Sequence, residues 1–260
     1  MERLRSLAEL FAPATCALCD GRLDLPSDKT VAPVPRLLGW NTDWAGAFCE
    51  SCRRRVSLEL LRPEDLGDTI CSVCGFPLLS EQGLCLHCRE DAPAFRTHRS
   101  LFLYTGLGKT LFRRYKFGGE RRIAHVLAPV LAGVLGGVNN GELLPGRTES
   151  RPSVVPVPPR RSAKKHRPFD PVRQVLNHCP TLNIVDCLER RGTQEQKRLS
   201  REDRAANVLN AFCVTPGAAI PPHPVLVDDV FTTGATAAGC ASLLREAGAK
   251  TVDVVTFFMD

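Results

Sequence analysis

The chain has 260 residues, 43% of them apolar, enough to bury one good-sized core or two smaller ones. No apolar run reaches the roughly 18 residues a spanning helix needs. Glu9 and Pro13 break the opening stretch "MERLRSLAELFAPATC", so neither a membrane span nor a signal peptide is expected, and a cytoplasmic protein is. The net charge of +6 is unevenly spread: residues 1–92 carry 10 basic and 14 acidic groups, residues 93–210 carry 22 and 9, and residues 211–260 carry 2 and 5. A basic middle favours phosphates, nucleotides or nucleic acid, and it is also what an ordinary solvated face looks like.

Eight of the 12 cysteines fall into four Cys-x-x-Cys pairs near the start: Cys16/Cys19, Cys49/Cys52, Cys71/Cys74 and Cys85/Cys88. A Cys-x-x-Cys turn aims two sulfurs at one point, and two such turns complete a tetrahedral thiolate site. The pairs at 71/74 and 85/88 are 10 residues apart and read as a compact zinc ribbon. Those at 16/19 and 49/52 are separated by 29 residues that include Pro26, Pro33 and Pro35, and read as a ribbon with a loop insertion. One or two structural Zn²⁺ ions are expected, with local pairing suggested by chain order and crossed pairing open. Disulfides and an iron–sulfur cluster are the competing readings; the first is disfavoured in a reducing compartment. A closed four-cysteine site leaves no open position for substrate, so the metal is structural. Cys179, Cys187, Cys213 and Cys240 stand in apolar contexts and read as small core residues.

The remainder, 93–260, reads as an α/β domain behind a 1–92 cysteine-rich one. A short strand near Leu103 precedes two helical stretches on either side of Gly118 and Gly119. "TGLGKT" (105–110) resembles the end of a P-loop, but the first P-loop glycine would fall at Leu103, so it reads as a turn and helix start. Residues 139–150 read as a polar loop. Strands are predicted at 151–159, 182–188, 223–230 and 250–258, with an Ala- and Leu-rich helix over 235–249 between the last two. That order implies a parallel, helix-covered sheet, whose ligands sit beyond the carboxyl ends of the strands.

"VLVDDVFTTGAT" (225–236) lies at such an end. A helix N-terminus preceded by Thr232, Thr233, Gly234 and Thr236 offers amides and hydroxyls to a phosphate. Asp228 and Asp229 repel that phosphate and suit ribose hydroxyls or a divalent metal. Phe112, Tyr115 and Phe117 alternate with Arg113, Arg114 and Lys116, which suits base stacking. Their helical spacing with Leu111 favours core packing instead.

"VLVDDVFTTGAT" closely resembles the PRPP-binding motif of type I phosphoribosyltransferases, and the chain as a whole resembles the ComF (ComFC/GntX-like) family, a zinc ribbon joined to such a domain. "YTGLGKTLFRRYKFGGERRIAHVLAPVLA", "VVPVPPRRSAKKHRPFD" and "LERRGTQEQKRLSREDRAANVLNAF" resemble further family blocks. The resemblance implies an α/β type I phosphoribosyltransferase-like parallel sheet flanked by helices, with an N-terminal Cys-rich zinc-ribbon domain. It implies Asp228 and Asp229 as the catalytic pair on the ribose hydroxyls, directly or through Mg²⁺. Thr232, Thr233, Gly234, Ala235 and Thr236 are implied around the 5′-phosphate, and Val157, Pro158, Pro159 and Arg160 near the pyrophosphate. Arg190, Arg191, Gln196, Arg201, Arg204 and Asn207 are implied in a segment closing over the ligand, with Lys116 as a further positive group. PRPP or another phosphorylated ribose is the implied ligand, and transfer to an unidentified acceptor the implied reaction. Single-stranded DNA handling in natural transformation, with competence or recombination proteins as partners, is the alternative. One departure stands out. The family's Arg-Gly-Phe-Asn reads Arg167-Pro168-Phe169-Asp170 here, which removes a donor N–H and adds a negative charge, weakening an anion contact at this loop.

Overall fold

Alternation along "VLVDDVF" sends Val225 and Val227 to one side of the sheet and Leu226 to the other, each into its own buried cluster. The computed structural model in which this is seen describes residues 14–23, 44, 46–61, 66–136, 151–159, 169–191 and 211–260. Residues before Ala14, those between Leu23 and Trp44 with the expected loop insertion, the expected 139–150 polar loop, Arg160 to Pro168 and 192–210 lie outside them.

Five strands form one parallel sheet: β1 (Thr97–Leu103), β2 (Ser153–Pro156), β3 (Asn183–Ile184), β6 (Val225–Phe231) and β7 (Asp253–Met259). Their order is β1-β7-β6-β2-β3. In register, Asp228 of β6 pairs with Thr256 of β7, and Pro156 of β2 with Val227 of β6. All seven residues of β7 are buried, as suits a central strand covered on both faces. Full burial of Phe257 and Phe258 contributes about 2–3 kcal/mol each. Two further strands, β4 (Leu188–Arg190) and β5 (Phe212–Val214), make a separate antiparallel ribbon.

The expected 182–188 strand is interrupted. Asn183–Ile184 joins the main sheet and Leu188–Arg190 leaves it to pair with β5. Asp186, in the gap, forms an ion pair with Arg173. The strand expected near Leu103 begins earlier, at Thr97. Its polar start, Thr97-His98-Arg99, lacks the apolar alternation that marks a strand, yet Thr97 and His98 are buried.

The sheet's helices are α3 (Gly106–Lys116), α4 (Ile123–Gly136), α5 (Pro171–Leu176) and α6 (Ala235–Glu246). In α3, Leu107, Leu111, Phe112 and Tyr115 repeat at helical spacing and are all buried. The packing reading therefore holds for Phe112 and Tyr115, while Phe117 stays exposed. Gly108 is required, since a Cβ would lie 1.9 Å from the Leu103 carbonyl oxygen. The "TGLGKT" stretch is thus a turn and a helix start.

Ahead of the sheet, α1 (Glu50–Glu59) and α2 (Leu86–Glu90) each begin at the first cysteine of a set's second pair, Cys49 or Cys85 as N-cap, and carry its partner Cys52 or Cys88. The two sets lie on opposite faces of the sheet. Cys16, Cys52 and Val56 belong to the buried cluster that holds Val225, Val227, Phe257 and α4; Cys71, Cys74 and Cys88 belong to the one that holds Leu226, Val254 and α6. Leu61 N–H donates to Leu101 C=O, and Arg122 donates to the Thr15 carbonyl, so the front is joined to the sheet by backbone and side chain alike.

Candidate ligand site and the two cysteine clusters

The carboxyl ends of β2 and β6 lie side by side, where Val157 N–H donates to the Val227 carbonyl at 2.9 Å. That register brings Val157, Pro158 and Pro159 beside Asp228 and Asp229. Of the implied pyrophosphate group only Arg160 falls outside the described residues, as do Gln196, Arg201, Arg204 and Asn207. Arg190 reaches toward the same edge, with Nη1 3.5 Å from the Pro158 carbonyl and its guanidinium over the Phe212 ring.

Both acids are half-buried. Asp228 Oδ1 accepts the Asp229 N–H at 2.7 Å. Desolvation, then the neighbouring Asp229, pushes the Asp228 carboxyl up to about 7. Asp229 points to a cation: its Oδ2 lies 2.5 Å from Lys116 Nζ, and the two side chains are only 20% and 14% exposed. Lys116 also lies over the Phe112 ring, 4.7 Å from its centroid. The last turn of α3 thus delivers a positive charge into the acid pair.

The turn that follows has the geometry of an anion cradle. Thr232 and Thr233 are exposed, and Gly234 caps α6 with φ of 77°. Gly234 has no side chain to cap the helix, and among the described residues the Ala235 N–H donates only to Thr233 Oγ1, at 3.4 Å. First-turn amides and the helix dipole therefore face outward, the arrangement that attracts phosphate. Only glycine suits position 234: φ is positive and a Cβ would stand 2.7 Å from the Phe231 ring.

Asp170, the departure from the family pattern, is not turned on the ligand edge as a bare charge. Its Oδ1 accepts the N–H groups of Val172 and Arg173, capping α5 ahead of Pro171. The Asp-Pro start of that short helix is a legible signal that sequence reasoning passed over. Tyr115 adds a second tie, its hydroxyl donating to the Pro171 carbonyl at 2.6 Å.

The eight paired cysteines form two groups, Cys16/Cys19/Cys49/Cys52 and Cys71/Cys74/Cys85/Cys88, each with its four sulfurs within 4.8 Å of one another. Pairing is local, not crossed. Cys19 and Cys49 sulfurs are 3.8 Å apart, Cys74 and Cys85 sulfurs 3.6 Å. A tetrahedron of about 2.3 Å metal–sulfur bonds has edges of about 3.8 Å, so both groups fit one metal ion each. No cysteine is joined in a disulfide, and sulfurs 3.6 and 3.8 Å apart disfavour that reading. The first cysteine of each set sits in a nest of amides. For Cys16 burial would raise the pKa, but the Cys49, Leu18 and Cys19 N–H groups outweigh it and hold the thiol at about 7. Cys71 is held at about 7 against the same burial by the Cys85, Cys74 and Val73 N–H groups. Burial pushes Cys52 and Cys88 up and takes Cys74 to about 12, so a cation is what lets all four ionise together. Cys179, Cys187 and Cys240 are buried in the core as expected, and Cys213 is half-buried.

The site's surroundings held one residue that sequence reasoning never singled out. His98, fully buried, donates from Nδ1 to the Cys74 carbonyl at 2.7 Å and meets Thr256 Oγ1 at 2.9 Å with Nε2. Desolvation lowers its pKa to about 3, so the ring is neutral. Its polar strand gave no periodic signal.

No family model matches the chain. Competence protein ComFC of Streptococcus pneumoniae is 31% identical over 244 residues, covering 93% of this chain and 97% of its own length. DNA utilization protein YhgH of Escherichia coli K12 is 31% identical over 254 residues, covering 94% and 96%. Among solved structures, a hypoxanthine phosphoribosyltransferase from Staphylococcus aureus matches 54% of this chain and 62% of its own, at 14% identity and a TM-score of 0.31. Among the described residues no helix is long and apolar enough to cross a membrane.

Proposed function

The chain belongs to the ComF family, that of ComFC and YhgH, and on that premise we propose that it binds a phosphorylated ribose, PRPP foremost, at the carboxyl ends of β2 and β6. One observation carries the reading: an acid pair whose charge is met by Lys116 stands directly before a glycine-initiated helix N-terminus. Asp228 and Asp229 take the ribose hydroxyls. Thr232, Thr233, Gly234, Ala235 and Thr236 take the 5′-phosphate. Val157, Pro158, Pro159, Arg160 and Arg190 border the pyrophosphate, with Gln196 and Arg204 on the segment that follows.

Phosphoribosyl transfer at such a site breaks the C1–pyrophosphate bond and forms a bond from C1 to an acceptor. Positioning of the sugar and positive charge around the departing pyrophosphate supply the rate. The Mg²⁺ implied by the resemblance does not fit the acid pair while Lys116 holds Asp229. A divalent ion needs open carboxylate oxygens, and one oxygen of Asp228 already accepts a backbone N–H. Each cysteine group fits one Zn²⁺ in a structural role.

Calorimetric titration of PRPP, with and without Mg²⁺, tests the reading on wild type and on Asp228→Asn/Asp229→Asn. Heat in the wild type that disappears in the double variant supports it; no heat in either overturns it. Pyrophosphate release across a panel of acceptors then tests transfer. A second reading, single-stranded DNA handling with competence or recombination partners, is favoured by the names of the relatives and the basic middle of the chain. DNA binding weakens steeply with salt and ignores the two aspartates.

A further inference from the structure

The compact cysteine group is tied to the candidate phosphate turn by an unbroken row of contacts. Its first knuckle, Cys71–Gly75, docks on the start of β1. Three successive carbonyls are taken up by two successive residues: Ser72 by Thr97 Oγ1 at 3.4 Å, Val73 by the His98 N–H at 2.6 Å, and Cys74 by His98 Nδ1 at 2.7 Å. Gly75 has φ of 71°, and a Cβ there would lie 3.1 Å from the His98 carbonyl oxygen, so the knuckle sits flush on the strand. A carbonyl only accepts, so Nδ1 carries the ring proton, and Nε2 lies 2.9 Å from Thr256 Oγ1 of β7, whose hydroxyl also has the Phe258 carbonyl at 3.1 Å.

Anchored at both nitrogens, the imidazole lies flat on Phe231, with centroids 3.8 Å apart and an interplanar angle of 13°. Phe95 meets the Phe231 ring edge-on. Phe231 ends β6, immediately before Thr232, and Gly234 rests on its ring so closely that a methyl group would not fit. Packing of this density transmits displacement, because no link has slack to absorb it.

We propose that His98 is a positioning residue through which metal in the Cys71/Cys74/Cys85/Cys88 group orders the Thr232–Thr236 turn. The functional side of this statement rests on the reading of that turn as a phosphate cradle; the coupling itself does not. With metal bound, the knuckle carbonyl fixes the imidazole, the imidazole fixes Phe231, and Gly234 is held on its ring. Without metal, the four thiols no longer share one centre, the Cys74 carbonyl moves, and the ring and the turn lose their support. The ribbon then acts as a brace for the ligand site.

Hydrogen exchange of the Thr232–Ala238 amides, followed by mass spectrometry, tests this on the full chain. The samples are zinc-loaded and chelator-stripped wild type, His98→Phe and His98→Asn. His98→Phe keeps a ring on Phe231 and loses the tie to Cys74. His98→Asn places an amide nitrogen where Nδ1 was and loses the ring. Stripping is expected to speed exchange in the wild-type turn by about tenfold. In both variants the turn exchanges fast already, and stripping adds nothing. That non-additivity marks coupling; a merely structural role gives equal, additive increments. An unchanged turn in stripped wild type, or the same stripping effect in all three proteins, overturns the proposal. The wild-type comparison stands even where a variant fails to fold.

PRPP titration of the same samples separates this proposal from the ligand reading. Turn loosening without PRPP binding to loaded wild type upholds the coupling and rejects the ligand. PRPP bound equally by loaded and stripped wild type, with unchanged exchange, rejects the coupling and keeps the ligand.

Discussion

Lys116 Nζ and Asp229 Oδ2 stand 2.5 Å apart at the mouth of the candidate site, joining the last turn of α3 to the end of β6. The pair places a cation where a divalent metal would otherwise be drawn. PRPP binding by the wild type is therefore expected to change little when Mg²⁺ is withdrawn. Lys116→Gln frees Asp229, and its binding is expected to become Mg²⁺-dependent by about tenfold or more. Equal Mg²⁺ dependence in both proteins, measured calorimetrically, counts against this role for Lys116.

Asp228 gives the site a pH signature. Its carboxyl, raised to about 7 by desolvation and then by Asp229, is protonated in the folded chain over a range where the unfolded chain has released the proton. The folded state thus binds more protons, and stability falls as pH rises. The contribution is fully present below the unfolded value near 3.8 and is lost as pH passes about 7. Asp228→Asn is expected to unfold at higher urea than wild type at pH 8, with that advantage shrinking toward pH 5. An advantage that grows on acidification would reverse the assignment.

Gly234→Ala tests the cradle. The substitution meets both a left-handed backbone and the Phe231 ring 2.7 Å away. A destabilisation of about 2 kcal/mol is expected, with loss of PRPP binding in the folded fraction. Denaturant melts and titration of the same sample separate the two effects.

Metal content is countable. Two ions per chain are expected by elemental analysis of protein purified without chelator. Cys19→Ser and Cys85→Ser should each lower the count to one, since the two groups share no ligand. A count of two that persists in either variant would mean that a serine or a water replaces the thiolate.

Arg96 and Asp253 meet fork to fork, Nε to Oδ1 at 2.9 Å and Nη2 to Oδ2 at 2.7 Å, with the aspartate side chain 2% exposed. Arg96→Ala removes both of these bonds from a buried carboxylate and is expected to cost about 3 kcal/mol in urea unfolding. Asp253→Asn, which leaves the exposed side of the pair, should cost less.

The sheet's centre and the turn of the candidate site were legible in the residues themselves. β6 and β7 are apolar runs of strand length around an Ala-rich helix, and glycine with threonines marks the turn between them. The cysteine spacing named both sulfur groups, and the structure settled their pairing, which spacing alone left open. What sequence hid was long-range. Lys116 was one cation among many until α3 packed its end against Asp229. β1 hid behind Thr97, His98 and Arg99, because its buried polar groups answer to knuckle carbonyls more than 20 residues earlier and not to any local pattern. The two-stranded β4–β5 ribbon was missed because three-residue strands carry no period.

Among the described residues β1 has a single neighbour in the sheet, β7, and the Arg96–Asp253 pair beside them spans 157 residues. Loops of that length close slowly. Leu101 and Phe102 of β1 have no strand beside them until β7 folds into place, and both cysteine groups pack on layers that this closure completes. Metal capture by the sulfurs is local in sequence, so it is expected before closure of β1 on β7 completes the wall they lean on. The interval between the two is when a sticky, half-built sheet is open to aggregation, and production of the protein should respond more to temperature and chaperone supply than to added zinc.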